Sequence, residues 1–206
     1  MPGRNKGNID FTLMITVFVL LAIGITMVFS ASAASSYLKY NDSYLYLKSQ
    51  GLYAIISIIV MLMLSKLDYK ILGRFALHFV IVSLILLIAV FIPGIGYGAK
   101  GAMRWIKVGS MTMQPSEFAK TALIIFMARS LSNKKDKVTK FFQGVVPYII
   151  LMVIYFGLII LQPNLSMAGS ILIITFIMLF AAGAKIWHLL GWVIPFLPAV
   201  VYLVTK

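Results

Sequence analysis

The 206-residue sequence is 62% hydrophobic and only 11% charged, which excludes a water-soluble globular domain. Its 18 Lys and Arg against 5 Asp and Glu give a formal charge of +13, but the cations sit in short segments between apolar runs, a pattern that orients membrane proteins and argues against nucleic acid. With no cysteine and only His78 and His188, disulfides, thiolate chemistry and Cys- or His-rich metal sites are excluded as well.

Met1 to Asp10 is short and polar. Phe11 to Leu38 is uncharged and exceeds the ~20 residues that a bilayer requires. It contains Ala31-Ser32-Ala33, yet it is longer than the ~7–15-residue apolar region of a signal peptide, so it is read as a retained first span. Ser49 to Ser65 forms the second span and leads into a basic turn with Lys66, Lys70 and Arg74. The third runs from Phe75 to about Ile92 and stops at Pro93-Gly94. A glycine-rich loop, residues 93–114, follows, and Pro115 opens a fourth helix that runs to about Leu131. Phe141 to Ala184 is 44 residues without a charge. As one helix it would be about 66 Å long, twice a ~30 Å hydrocarbon core. It must turn back, and Gln162-Pro163-Asn164 is the predicted turn between spans five and six. Ile186 to Thr205 makes the seventh. The expected fold is one all-α polytopic membrane domain over residues 1–206 with about seven transmembrane helices.

With a cytoplasmic N-terminus, eleven cations fall on inside segments and six outside, with Lys120 inside a helix. That bias predicts N-terminus in and the 93–114 loop extracytoplasmic.

The richest chemistry lies in Gly101 to Lys120, where Arg104, Lys107, Glu117 and Lys120 cluster between nearly uncharged segments. Glu117 is the one acid that touches a membrane-length helix, and such a carboxylate marks a functional site by default. Arg104 and Lys107 flank Trp105-Ile106. They read equally as an interfacial anchor, with snorkelling cations beside an aromatic, and as an anion-capturing pair with Lys100 as a further point charge. Glu117 fits a helix cap paired with Lys120 three residues on. Equally, Glu117, Lys120 and Thr121 form a polar stripe of the kind that faces a bundle interior or a water-filled cavity. Gly96 to Gly101 matches G-x-G-x-x-G, but a membrane helix precedes it, so nucleotide binding is rejected and an irregular loop is expected. His188 beside Trp187 reads as an interfacial residue.

Several of these stretches resemble the SEDS family (FtsW, RodA and SpoVE). They are Pro93-Gly94-Ile95-Gly96, Gly101-Ala102, Arg104-Trp105-Ile106, Gly109, and Gln114-Pro115-Ser116-Glu117 with Lys120. Met27 to Ser32 looks like the family's opening helix, Gln162-Pro163-Asn164-Leu165 like its Q-P-D-L-G turn, and Ala181 to Ala184 like its sixth-helix ending. The loop and the Ser-Ala-Ser ending lean toward the division and sporulation branch.

The resemblance implies a multi-pass protein of the bacterial inner membrane that polymerises lipid II into glycan strands, working with a class B penicillin-binding protein and other divisome membrane proteins. Arg104, Lys107, Glu117, Lys120, Gln114, Ser116, Lys100, Gln162 and Asn164 would then bind the lipid-linked substrate. No cofactor is implied, and a divalent cation is left open. Two departures stand out. The family has ten helices, and its catalytic aspartate corresponds to a position beyond residue 206. Asn164 also stands where the family has Asp, and an amide there cannot act as a base. Non-catalytic binding of lipid II or divisome partners, and a flippase for lipid-linked precursors, are the alternatives.

Overall fold

The computed structural model describes residues 10–99, 102–108, 111–134, 138–189 and 191. They divide into two compact units, residues 1–67 and 68–206.

The first unit is a helical hairpin of α1 (Phe11–Tyr40) and α2 (Leu45–Ser65). Asp10 caps α1 by accepting from the Leu13 N–H at 3.0 Å. Asn41, at φ 56°, ends it in the left-handed conformation that Asn tolerates. Asp42 organises the connection. Its backbone carbonyl accepts from Ser36 Oγ at 2.6 Å, and its carboxylate accepts from the Tyr44 N–H and from Lys48 Nζ. Phe29 stacks on Tyr44 at 5.4 Å between ring centres.

The second unit begins with α3 (Tyr69–Arg74), where the sequence analysis placed a plain basic turn. Asp68 nucleates it by accepting from the Lys70 N–H at 2.9 Å. The bundle follows as α4 (Ala76–Ala89), α5 (Pro115–Lys134), α6 (Val146–Ile160, entered through a π-helical turn at Phe141–Val145) and α7 (Leu165–Ala181). The predicted turn at Gln162-Pro163-Asn164 separates α6 from α7. Of the seventh predicted span, Ile186–Thr205, only residues 186–189 and 191 are described, and they are helical.

α5 packs on α3, α4, α6 and α7. Its buried residues, Pro115, Ser116, Ala119, Ala122, Leu123, Met127 and Leu131, recur at three- and four-residue spacing and so form one stripe. Around that stripe lie the buried Leu87, Tyr148, Ile149, Tyr155, Ile159, Ile171 and Leu179. Two tyrosine hydroxyls bury with partners: Tyr155 with Ser83 of α4 at 2.5 Å, and Tyr148 with Ser130 of α5 at 2.7 Å.

Three described helices are long and apolar enough to cross a membrane: Phe11–Tyr40, Leu45–Ser65 and Phe141–Ile160. Ala76–Ala89 and Leu165–Ala181 are shorter apolar helices. The architecture is that of a polytopic helical membrane protein.

The 93–114 loop is more ordered than expected. It folds into an antiparallel meander of β1 (Gly96–Ala99), β2 (Ala102–Val108) and β3 (Met111–Met113). Gly96 pairs with Ile106 and Tyr97 with Trp105, then a bulge shifts the register so that Gly98 pairs with Met103. The glycines serve this sheet. A Cβ at Gly96 would overlap the Val90 carbonyl oxygen, and one at Gly98 would overlap that of Ala102. Both glycines thus allow close approach to their own chain.

Candidate functional site

Strand geometry separates the two cations that flank Trp105-Ile106. Successive residues of a strand point to opposite faces, so Arg104 and Ile106 share one face while Trp105 and Lys107 share the other. Ile106 is buried and Arg104 half-buried, whereas Trp105 and Lys107 are exposed. Arg104 is also the unpaired residue of the bulge, a position that re-aims a side chain. Its guanidinium crosses to the α6–α7 turn. Nε donates to the Gln162 carbonyl at 3.1 Å and Nη2 to that of Pro163. Lys107 instead lies 6.0 Å from the Tyr97 ring centre, opposite Thr112 on β3. Arg104 and Lys107 therefore do not converge on one anion, and Lys100 lies outside the described residues.

Arg104 joins two of the motifs. The sheet sits between the end of α4 and the start of α5, and the turn joins the end of α6 to the start of α7. One arginine thus gathers four helix ends. Gln162, 1% exposed, tightens the same end by donating from Nε2 to the Leu87 carbonyl of α4 at 3.1 Å. Asn164, 6% exposed, caps α7 through Oδ1, which accepts from the Met167 N–H at 3.4 Å.

Three buried polar atoms of this part of the chain lack a hydrogen-bonding partner among the described residues: Ser116 Oγ in the first turn of α5, Gln162 Oε1 and Asn164 Nδ2. Buried polar atoms are nearly always paired, because an unpaired one costs roughly 1–3 kcal/mol. A hydroxyl, an acceptor and a donor left open in this way can each hydrogen-bond to a group other than the described residues, water included.

Glu117 and Lys120 form the predicted ion pair, 2.6 Å apart, with side chains 55% and 28% exposed. The Glu117 N–H bonds back to the Gln114 carbonyl at 3.1 Å, so Gln114 opens the helix that carries the pair. Thr121 Oγ1 donates to the Glu117 carbonyl at 3.3 Å. The stripe of Glu117, Lys120 and Thr121 lies off the packed face of α5, with Glu117 and Thr121 exposed and Lys120 half-buried. Among the described residues no three His, Cys, Asp or Glu side chains gather as metal ligands.

Sequence reasoning missed two things. The Ala102–Val108 stretch alternates inward and outward residues, and two residues separate it from each neighbouring strand, which is a hairpin signal. The acceptance of Arg104 by turn carbonyls had no signal, since backbone acceptors are the same in every sequence.

Apolar spanning helices, with a small sheet strapped by one arginine across four helix ends, define a class: a polytopic membrane protein with polar groups gathered at one end of its bundle. The chain belongs to the FtsW/RodA/SpoVE family described as cell cycle proteins, whose pattern matches residues 11–206. A probable peptidoglycan glycosyltransferase FtsW of Trichlorobacter lovleyi is 40% identical over 195 residues, which is 95% of this chain and 51% of that protein. Stage V sporulation protein E of Bacillus subtilis is 38% identical over 184 residues, 89% of this chain and 50% of that one. The crystal structure of the rod shape determining protein RodA of Thermus thermophilus matches with a TM-score of 0.74 at 26% identity, covering 97% of this chain and 61% of that one. A structure described as showing coordination of polymerization and crosslinking by a peptidoglycan synthase complex matches with a TM-score of 0.70 at 26% identity, over 84% and 48% of the two chains. The chain spans about half the length of the curated relatives it matches.

Proposed function

We propose that this chain supplies the N-terminal portion of a peptidoglycan glycosyltransferase that polymerises lipid II during division or sporulation. The relatives named as glycosyltransferases support the reaction class. The observation that carries the site is the open Gln162 Oε1 and Asn164 Nδ2 in the turn that Arg104 holds, with the open Ser116 Oγ next to Glu117 in the first turn of α5. In this reaction a sugar hydroxyl oxygen bonds to an anomeric carbon as the bond from that carbon to the lipid pyrophosphate breaks. The hydroxyl proton needs a base, and the leaving oxyanion needs cations. Lys120 and Arg104 are the cations offered to the pyrophosphate, with Lys100 as a further point charge, and the amides with Gln114 and Ser116 offer hydrogen bonds to sugar and phosphate oxygens. The sheet faces outward from the bacterial inner membrane, in keeping with the charge bias of the loops. A class B penicillin-binding protein and other divisome membrane proteins are the partners. The synthase-complex relative supports a crosslinking partner.

The test places Glu117→Gln and Arg104→Ala at the matching positions of a complete homologue and follows polymer formation from purified lipid II. Each change should slow polymerisation at least tenfold, equivalent to about 1.4 kcal/mol of barrier. Wild-type rates in both would remove these residues from the site. One observation favours a second reading, binding of lipid II without chemistry: the carboxylate Glu117 is tied to Lys120 rather than free to act as a base. Photo-crosslinking to lipid II with no polymer formed would select it.

A further inference from the structure

The end of the second unit opposite the sheet carries its own charged surface. α3 presents exposed Lys70 and Arg74, and exposed Arg129 of α5 crosses it. A methyl group at Gly73 would lie 3.2 Å from Arg129 Cδ and 3.8 Å from its Nε, so the arginine stem rests in the place a side chain would occupy. None of the three cations has an acidic partner among the described residues. Asp68, the acid next to α3 in sequence, is engaged in capping that helix. Apolar side chains interleave with the cations: Tyr69 is 76% exposed, Ile71 45% and Phe75 48%. A short helix that shows water both cations and large apolar groups matches a bilayer surface, where the rings sit at headgroup depth and the cations meet phosphate. An acidic protein segment would satisfy the charges and leave the apolar groups exposed.

We propose that the α3–α5 junction, formed by Lys70, Arg74 and the Arg129 seated on Gly73, is a headgroup site for an anionic phospholipid. Arginine grips phosphodiester oxygens through its planar fork, and the seat on Gly73 fixes the stem before the lipid arrives.

The experiment uses the full chain in neutral detergent and measures retention of phosphatidylglycerol against phosphatidylcholine by native mass spectrometry. Phosphatidylglycerol should be preferred, and Arg129→Gln should weaken it about fivefold, the expected effect of one cation near an anionic surface. Gly73→Leu keeps every charge but fills the seat, and it should weaken binding by a similar factor. Equal retention of the two lipids, or unchanged affinity in Arg129→Gln, overturns the proposal. Displacement of the lipid by millimolar inorganic phosphate would assign the site to a free anion instead. Preference for an acidic peptide over the lipid would assign it to a protein partner.

Discussion

At the scale of single residues, Arg104 shows how one side chain ties distant segments together. Its guanidinium satisfies two carbonyls of the α6–α7 turn while the residue itself sits on the bulge of β2. Lysine would keep the charge but could not span both carbonyls with a planar fork. Arg104→Lys should therefore lower thermal stability in detergent by roughly 1–3 kcal/mol, the cost of leaving partly buried acceptors open. Unchanged melting would show that the fork does not hold the turn. The Glu117–Lys120 pair is a weaker element, since exposed pairs at this spacing contribute only about 0.2–0.5 kcal/mol to a helix.

At the scale of elements, the meander depends on two positions without side chains. Gly96→Ala and Gly98→Ala would each drive a methyl group into a backbone carbonyl oxygen that cannot move independently. Either variant should lose the β1–β2 pairing, seen as faster amide exchange of the Tyr97 and Trp105 N–H groups. Retained protection in both would mean the backbone can part without losing the sheet. The α1–α2 connection offers a titratable case. Lys48, by hydrogen bond, and the Tyr44 N–H hold the Asp42 carboxyl below its ordinary value of 3.8. A lowered folded-state value means that the carboxylate form is favoured in the hairpin. Its contribution is therefore full above pH 3.8 and is lost as pH falls through the lowered value. Carbon NMR of the labelled carboxyl should show this titration shifted down in the native chain and restored by Lys48→Met. An equal midpoint in the two proteins would show that the ion pair does not act on Asp42.

At the scale of the whole molecule, topology is the point most open to direct test. The chain contains no cysteine, so each introduced thiol reports alone. In intact cells, Thr112→Cys on the exposed sheet should react with a membrane-impermeant thiol reagent, and Lys140→Cys at the opposite helix ends should not. The reverse pattern would invert the orientation drawn from the charge bias.

The sequence by itself determined the membrane class, the six apolar helices before residue 184 and the turn at Gln162-Pro163-Asn164. These follow from runs of apolar residues and from breakers, and a bilayer reads both locally. It also placed Glu117 with Lys120, because three residues along a helix bring side chains together whatever surrounds them. Only the tertiary structure decided that Arg104 and Lys107 part company. Their spacing of three means one face on a helix and opposite faces on a strand, and the choice lay with pairing partners elsewhere in the loop. It likewise decided that Gln162, which the sequence presents as an ordinary turn amide, is buried against Leu87 with one oxygen left open. Burial of that kind belongs to four helix ends meeting in space, and no one segment encodes it.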